Sequence, residues 1–106
     1  MTTKYHTLKR LPLSGLSYHQ YPFYVEVLVP GVELSLQRDA LNVHDPNGIR
    51  VLYDGEQIGW IPKAENEVLA RLLDLEIDLA CRIISHDLKA TLDRRLYVGI
   101  YIGVAE

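Results

Sequence analysis

The chain has 106 residues, 48% hydrophobic and 24% charged, with a net charge of −3. That is the composition of one globular domain spanning residues 1–106, large enough to bury a core without disulfides, and it excludes a disordered tail. A net negative charge also excludes a surface that grips a polyanion all round, so any nucleic-acid partner must meet cations gathered on one face.

From the N-terminus, "MTTKYHTLKRL" lacks the apolar stretch of a secretory signal, and no run approaches the roughly 18 apolar residues of a membrane helix. The single cysteine, Cys81, has no partner for an internal bridge. A cytoplasmic protein with no membrane association is therefore expected. Residues 8–22 are poorly periodic and are predicted mostly irregular. "FYVEVLV" (23–29) alternates, which predicts a strand with Phe23, Val25, Val27 and Val29 inward and Tyr24 and Glu26 outward. "VELSLQ" (32–37) alternates again.

The connection that follows, residues 38–48, is far longer than the roughly two residues of a tight hairpin, and carries Asp39, Asn42, His44, Asp45 and Asn47. "IRVLYD" (49–54) reads as a strand, Asp54-Gly55 as a hairpin turn, and "EQIGWI" (56–61) as the returning strand. Pro62 stops it. "KAENEVLARLLDL" (63–75) spaces Val68, Leu69, Leu72 and Leu73 as the buried stripe of a helix. "IDLACRII" (77–84) and "RRLYVGIYIG" (94–103) return to period two. The pattern predicts a mainly β protein of about six antiparallel strands, with a helix after the fourth. Closing the strands into a small barrel removes exposed edges.

Chemistry-bearing residues are sparse. His44-Asp45 and His86-Asp87 are pairs of the kind metal-dependent phosphohydrolases use, but both fall in loops of a β protein, and His6 and His19 add no ligand spacing. No metal site, cofactor or catalytic residue is expected. Cys81 sits on an apolar strand face and reads as a small packed hydrophobe. In the last strand Tyr97, Gly99, Tyr101 and Gly103 share the face opposite Leu96, Val98, Ile100 and Ile102. Two outward tyrosines with glycines beside them would leave room for a stacked base, although tyrosine in strands and glycine at barrel bends are also ordinary. The cations Lys9, Arg10, Arg38, Arg50, Lys63, Arg71, Arg94 and Arg95 are scattered solubilising charge by default.

"LQRDALNVHDPNGIRV" followed by "DGEQIGWIPKAENEVLARLLD" resembles the HIRAN domain, and with "YPFYVEVLVPGVELSL" the likeness is strongest over residues 20–85. The resemblance implies a stand-alone, bacterial-type member with an OB-like β-barrel. It also implies capture of the 3′ end of single-stranded DNA, an activity used in remodelling stalled replication forks. Carried over by position, Asn42 and Asp45 would face the terminal nucleotide, with Asp45 on the free 3′-hydroxyl. Phe23 and Tyr24 would stack on terminal bases, and Trp60 and Lys63 would hold base and phosphate. Arg38 and His44 belong to the same loop, and Tyr97 and Tyr101 extend the candidate surface. The implied partners are a single-stranded DNA end and a helicase or other DNA-processing protein. Pro22 stands where DNA-binding members can carry arginine, Ala40 and Val43 replace loop prolines, and Gly48 replaces alanine.

Asp45 has a physical reason in that setting. A carboxylate repels phosphates but accepts a charge-assisted hydrogen bond from a terminal hydroxyl. The competing reading is that Asn42, Asp45 and Asn47 bind their own backbone as Asx-turns. A barrel that lost DNA and serves protein interaction or regulation is the alternative function.

Overall fold

The computed structural model describes residues 2–106. Six antiparallel strands form one sheet in the order β1-β6-β5-β2-β3-β4, with β1 Thr3–Pro12, β2 Glu33–Arg38, β3 Ile49–Tyr53, β4 Glu56–Trp60, β5 Leu79–His86 and β6 Leu96–Ala105. The sheet curls until its ends meet. Beyond β1 the chain turns from β6 to β4, where Ser14 and Trp60 exchange backbone N–H···O bonds of 2.9 Å in both directions. That bridge joins the ends of an OB-like sheet that stays open along most of β1. Gly59 permits the approach, because a Cβ there would lie 2.8 Å from the Ser14 carbonyl oxygen.

Inward residues of every strand meet in one core that includes Leu11, Ile49, Val51, Ile58, Ile83 and Ile100. The β3–β4 connection is the hairpin that its sequence predicts. Asp54 and Gly55 both take positive φ, 48° and 82°, as the two central residues of a tight primed turn do.

Three expectations need correction. Residues 23–29 do not form a strand. Tyr21–Tyr24 form a one-turn helix, α1, with Pro22 in its first turn, and a further turn follows. Tyr21 and Leu28 are buried and Tyr24 and Val25 half-buried, whereas Phe23, Val27 and Val29 face solvent. The spacing that counts is i, i+3, i+4, i+7 from Tyr21, which competes with the alternation in the same residues.

The sixth strand is instead β1, within and before the segment expected to be irregular. Thr3–Arg10 are all exposed, so hydrophobic alternation cannot mark them; their strand is fixed by backbone pairing to β6.

The 63–75 helix is broken in two. A 3₁₀ turn at Lys63–Glu65 precedes α2, Glu67–Asp74, and the residue between them, Asn66, is buried. Leu69 and Ala70 face the core while Val68 stands in solvent, 68% exposed. No helix among the described residues is long and apolar enough to cross a membrane.

Candidate functional site

The β2–β3 ladder ends at Arg38 opposite Ile49, and the loop beyond it is tied at its base by the Asp39 N–H donating to the Gly48 carbonyl at 2.9 Å. Inside the loop, Asn42 Oδ1 accepts from the backbone N–H of His44 (2.9 Å) and of Asp45 (3.1 Å), while its Nδ2 donates to Asp39 at 3.3 Å. Asp45 Oδ1 accepts the Asn47 N–H at 3.0 Å, and Oδ2 accepts from Asn66 Nδ2 at 2.8 Å.

Arg38 clamps the loop from beneath. It donates to the carbonyls of Gly48 and Pro46 at 2.8 and 3.1 Å and forks onto Asp74 at 2.9 and 3.3 Å. Its hydrogen bonds hold the exposed Asp74 carboxyl below the usual carboxylate range. Arg71 reaches the Asn47 side-chain oxygen at 3.3 Å. Asn42 and Asp45 thus build the loop that they occupy, in part as Asx-turns, and Arg38 and Arg71 add two cations to its flank.

Trp60 occupies the wall beside this loop. A Cβ on Gly48 would lie 3.4 Å from both the Trp60 ring and Asn42 Nδ2, and a Cβ on Gly15 would lie 3.0 Å from the ring's other part. A register shift between Val51 and Leu52 sets Trp60 opposite Arg50, whose guanidinium carbon lies 5.9 Å from the indole centroid. Arg50 also donates to Gln37 at 3.1 Å and pairs with Asp39 at 3.2 Å. The outer face of β2, β3 and β4 therefore carries a row of Gln37, Arg50 and Trp60.

His19 completes the row. The indole N–H of Trp60 donates to His19 Nε2 at 2.8 Å, and the rings meet edge-on at 5.8 Å. Since Nε2 accepts, the neutral ring carries its proton on Nδ1. Burial first and the Arg50 charge second push the His19 pKa below its ordinary value.

Phe23 is 79% exposed, and Tyr24 packs edge-on against Tyr53 with ring centroids 5.1 Å apart. A surface concavity of about 410 Å³ is lined by Pro22, Phe23, Tyr24, Val25, Glu26 and Val27. The segment leading into α1 is held to β4 by the Gln20 N–H on the Gln57 carbonyl at 2.9 Å. Phe23, Tyr24, Trp60, Asn42 and Asp45 accordingly belong to elements packed on or beside β4. Lys63 is exposed in the 3₁₀ turn that follows, and His44 is exposed at the loop tip.

Tyr97 and Tyr101 lie elsewhere. They belong to β6, which two strands separate from β3 in either direction around the barrel. The space beside Gly99 is filled by the Tyr101 ring itself, since a Cβ there would run into the tyrosine hydroxyl, and Arg82 sits over that ring at 5.8 Å. Tyr5 and Asp78 fill the space beside Gly103. These glycines accommodate the chain's own side chains.

Among the described residues no group of three or more His, Cys, Asp and Glu side chains is placed to hold a metal. His86 is bound internally. Its Nδ1 donates to the Leu28 carbonyl at 2.8 Å, and its Nε2 accepts from the Tyr21 hydroxyl at 2.7 Å. Cys81 is buried, which pushes its thiol pKa up to about 12. His19 and Arg50 are the site residues that the sequence reading did not select. The outward parity of Arg50 on β3 was available, but nothing local links His19 to a tryptophan in another element.

A family model described as HIRAN domain matches residues 9–104. The chain belongs to the HIRAN domain family. Among solved structures, this HIRAN domain is similar to a protein from Lactobacillus plantarum at TM-score 0.85 and 21% identity, over 98% of this chain and 100% of that one. It is also similar to the HIRAN domain of human HLTF at TM-score 0.74 and 22% identity, over 98% of this chain and 81% of that one. At such identities the likeness is one of fold, and it extends the HIRAN barrel through β1 and β6 at both ends of the chain. No curated protein matches the sequence.

Proposed function

We propose that this HIRAN domain is a nucleic-acid-binding module that takes the free 3′-hydroxyl end of single-stranded DNA and has no catalytic activity of its own, as a cytoplasmic DNA-processing component. The observation that carries the reading is the wall formed by Trp60, Arg50 and the 39–48 loop, with Phe23 exposed on the neighbouring α1. A half-buried indole offers a surface to the terminal base, and an exposed aromatic ring stacks on the next.

Asp45 retains capacity for the end. An ionised carboxylate has about four acceptor positions, and the Asn47 and Asn66 donors engage one on each oxygen. A terminal hydroxyl takes another, while a terminal phosphate is repelled. Both acceptor positions of Asn42 are engaged by backbone N–H groups and one Nδ2 hydrogen by Asp39, so Asn42 positions the loop and meets a nucleotide through its second Nδ2 hydrogen. Arg71, bonded to the neutral Asn47 amide, supplies positive charge at the flank, whereas Arg38 is paired with Asp74.

Short 5′-fluorescein oligonucleotides ending in 3′-hydroxyl or 3′-phosphate, titrated by anisotropy, test the proposal. The hydroxyl end should bind about tenfold tighter or better, with a salt slope near −0.7 per phosphate engaged. Equal affinity for the two ends overturns end recognition. No binding at low salt overturns the nucleic-acid reading and favours a protein-interaction barrel, a function consistent with a loop whose acid and amide groups are largely bonded within the fold.

A further inference from the structure

The outer edge of β1 is unclaimed. Among the described residues, Thr3–Arg10 pair with β6 alone and all are exposed; the chain meets β4 only beyond them, at Ser14. A strand unpaired on one side leaves alternate backbone N–H and C=O groups open to a further strand. Beside this edge, β1 and the start of α2 enclose a groove of about 350 Å³ whose walls include Leu8, Lys9, Ala64, Glu65, Val68 and Leu69. Leu8 is the residue passed over where the β1 register shifts between Thr7 and Lys9. Leu8 and Val68 are 41% and 68% exposed, so the groove presents apolar surface to solvent beside the Lys9–Glu65 ion pair.

Charge selects the occupant. β1 carries Lys4, Lys9 and Arg10 and no carboxylate. Lys4 pairs opposite Val104, His6 opposite Ile102 and Lys9 opposite Ile100, so the three share the sheet face of the buried Ile100. Lys9 reaches across that face to an ion pair with Glu65, beside α2. Two copies of this edge pairing with each other would set basic strand against basic strand, and like charges directly opposite are destabilising. An acidic strand meets no such penalty. On the opposite wall Glu65 and Glu67 repel carboxylates from the groove itself, which leaves that end to an aliphatic side chain.

We propose that the β1 edge docks an extended acidic segment of a partner protein as a seventh strand, with one aliphatic side chain in the Leu8–Val68 groove and carboxylates at period two opposite Lys4 and His6. Backbone hydrogen bonds along the edge supply affinity, and alternate side chains supply selectivity. The proposal does not rest on the nucleic-acid reading, because no residue of the β1 edge or of the groove belongs to the β2–β3 loop or to the Trp60–Arg50 wall.

The test uses the whole ¹⁵N-labelled chain and fluorescein-labelled peptides of alternating threonine and valine, with a leucine at either end and two aspartates at period two from it. Control peptides carry lysine in place of aspartate. The aspartate peptides should shift and protect the amides of Thr3–Lys9 and bind about tenfold tighter than the controls or better. Lys4→Glu should reverse that preference. Val68→Asp should weaken the aspartate peptides by about tenfold. Both positions are solvent-exposed, so the circular dichroism spectrum should not change. Equal binding of the two peptide types, or no protection of β1, overturns the proposal. So does self-association through β1 that Lys4→Glu alters, or the same β1 shifts produced by an oligonucleotide.

Discussion

Asn66, 1% exposed, donates its side-chain N–H to Asp45 across 2.8 Å, and so joins the β2–β3 loop to the start of α2. The Asn66 carbonyl accepts the Ala70 N–H at 2.8 Å, in the first turn of that helix. Asp45→Ala leaves a buried donor without a partner and should cost about 1–3 kcal/mol in urea unfolding. In a double-mutant cycle with Asn66→Ala, the second substitution should cost less in the Asp45→Ala background than alone. Additive losses would show that the bond carries no coupling. This cost also means that weak DNA binding by Asp45→Ala cannot be assigned to lost end recognition; the comparison of 3′ ends on the unaltered chain decides that.

The burial of His19, with the Arg50 charge beside it, predicts a pH dependence. The folded pKa of His19 lies below its ordinary 6.5, so between the two values the unfolded chain binds more protons than the folded one. Stability therefore rises with pH through that interval. The contribution is complete above 6.5 and declines as pH falls below it toward the folded value. Urea midpoints for the unaltered chain should drop between about pH 7.5 and pH 5 more than those of His19→Gln. Parallel midpoints for the two proteins would remove His19 as a source of the effect.

What the sequence made legible follows from where the physical signal was local. β2, β3 and β4 bury one face, so their alternation is visible, and Asp54-Gly55 specifies its own turn. β1 buries neither face over Thr3–Arg10 and is invisible to the same criterion. In 23–29 the alternating apolar residues Phe23, Val27 and Val29 are the exposed ones, so period two misled. At the site, the loop's Asn and Asp residues announced Asx-type bonding, but the Asp45–Asn66 pair spans two elements. A regular two-residue hairpin would set Arg50 opposite Gly59; the register shift moves it to Trp60, and no sequence rule gives that bulge. Tyr97 and Tyr101 alternate as expected, yet topology sets them on β6, paired with β1 and β5 and not with β3 or β4.

Gly59→Ala tests barrel closure. A methyl group at 2.8 Å from the Ser14 carbonyl oxygen forces one backbone away from the other. Overpacking of this kind should cost about 1–3 kcal/mol. Hydrogen exchange at the Ser14 and Trp60 amides, which make the bridge, should accelerate more than exchange within β5–β6. Uniform acceleration across the sheet would mean that closure is not a separable element.

Cys81 should be chemically silent in the folded chain. At 2% exposure and a pKa of about 12, almost none of it is thiolate at pH values near 8. Ellman's reagent should modify it only as fast as the barrel opens, and low denaturant should speed the reaction in step with unfolding. Prompt labelling in buffer alone would show that β5 opens locally.

Phe23 separates function from folding. At 79% exposure its ring contributes little to the core, so Phe23→Ala should change stability by no more than about 0.5 kcal/mol. A base stacked on that ring is worth about 1–3 kcal/mol, so the same substitution should weaken single-stranded DNA binding roughly 5- to 150-fold. Tyr97→Ala, on β6, should leave the affinity unchanged. Anisotropy titrations on both variants, with melting curves alongside, read the two effects independently. Equal affinity for Phe23→Ala and the unaltered chain would remove the Phe23 ring from the interface.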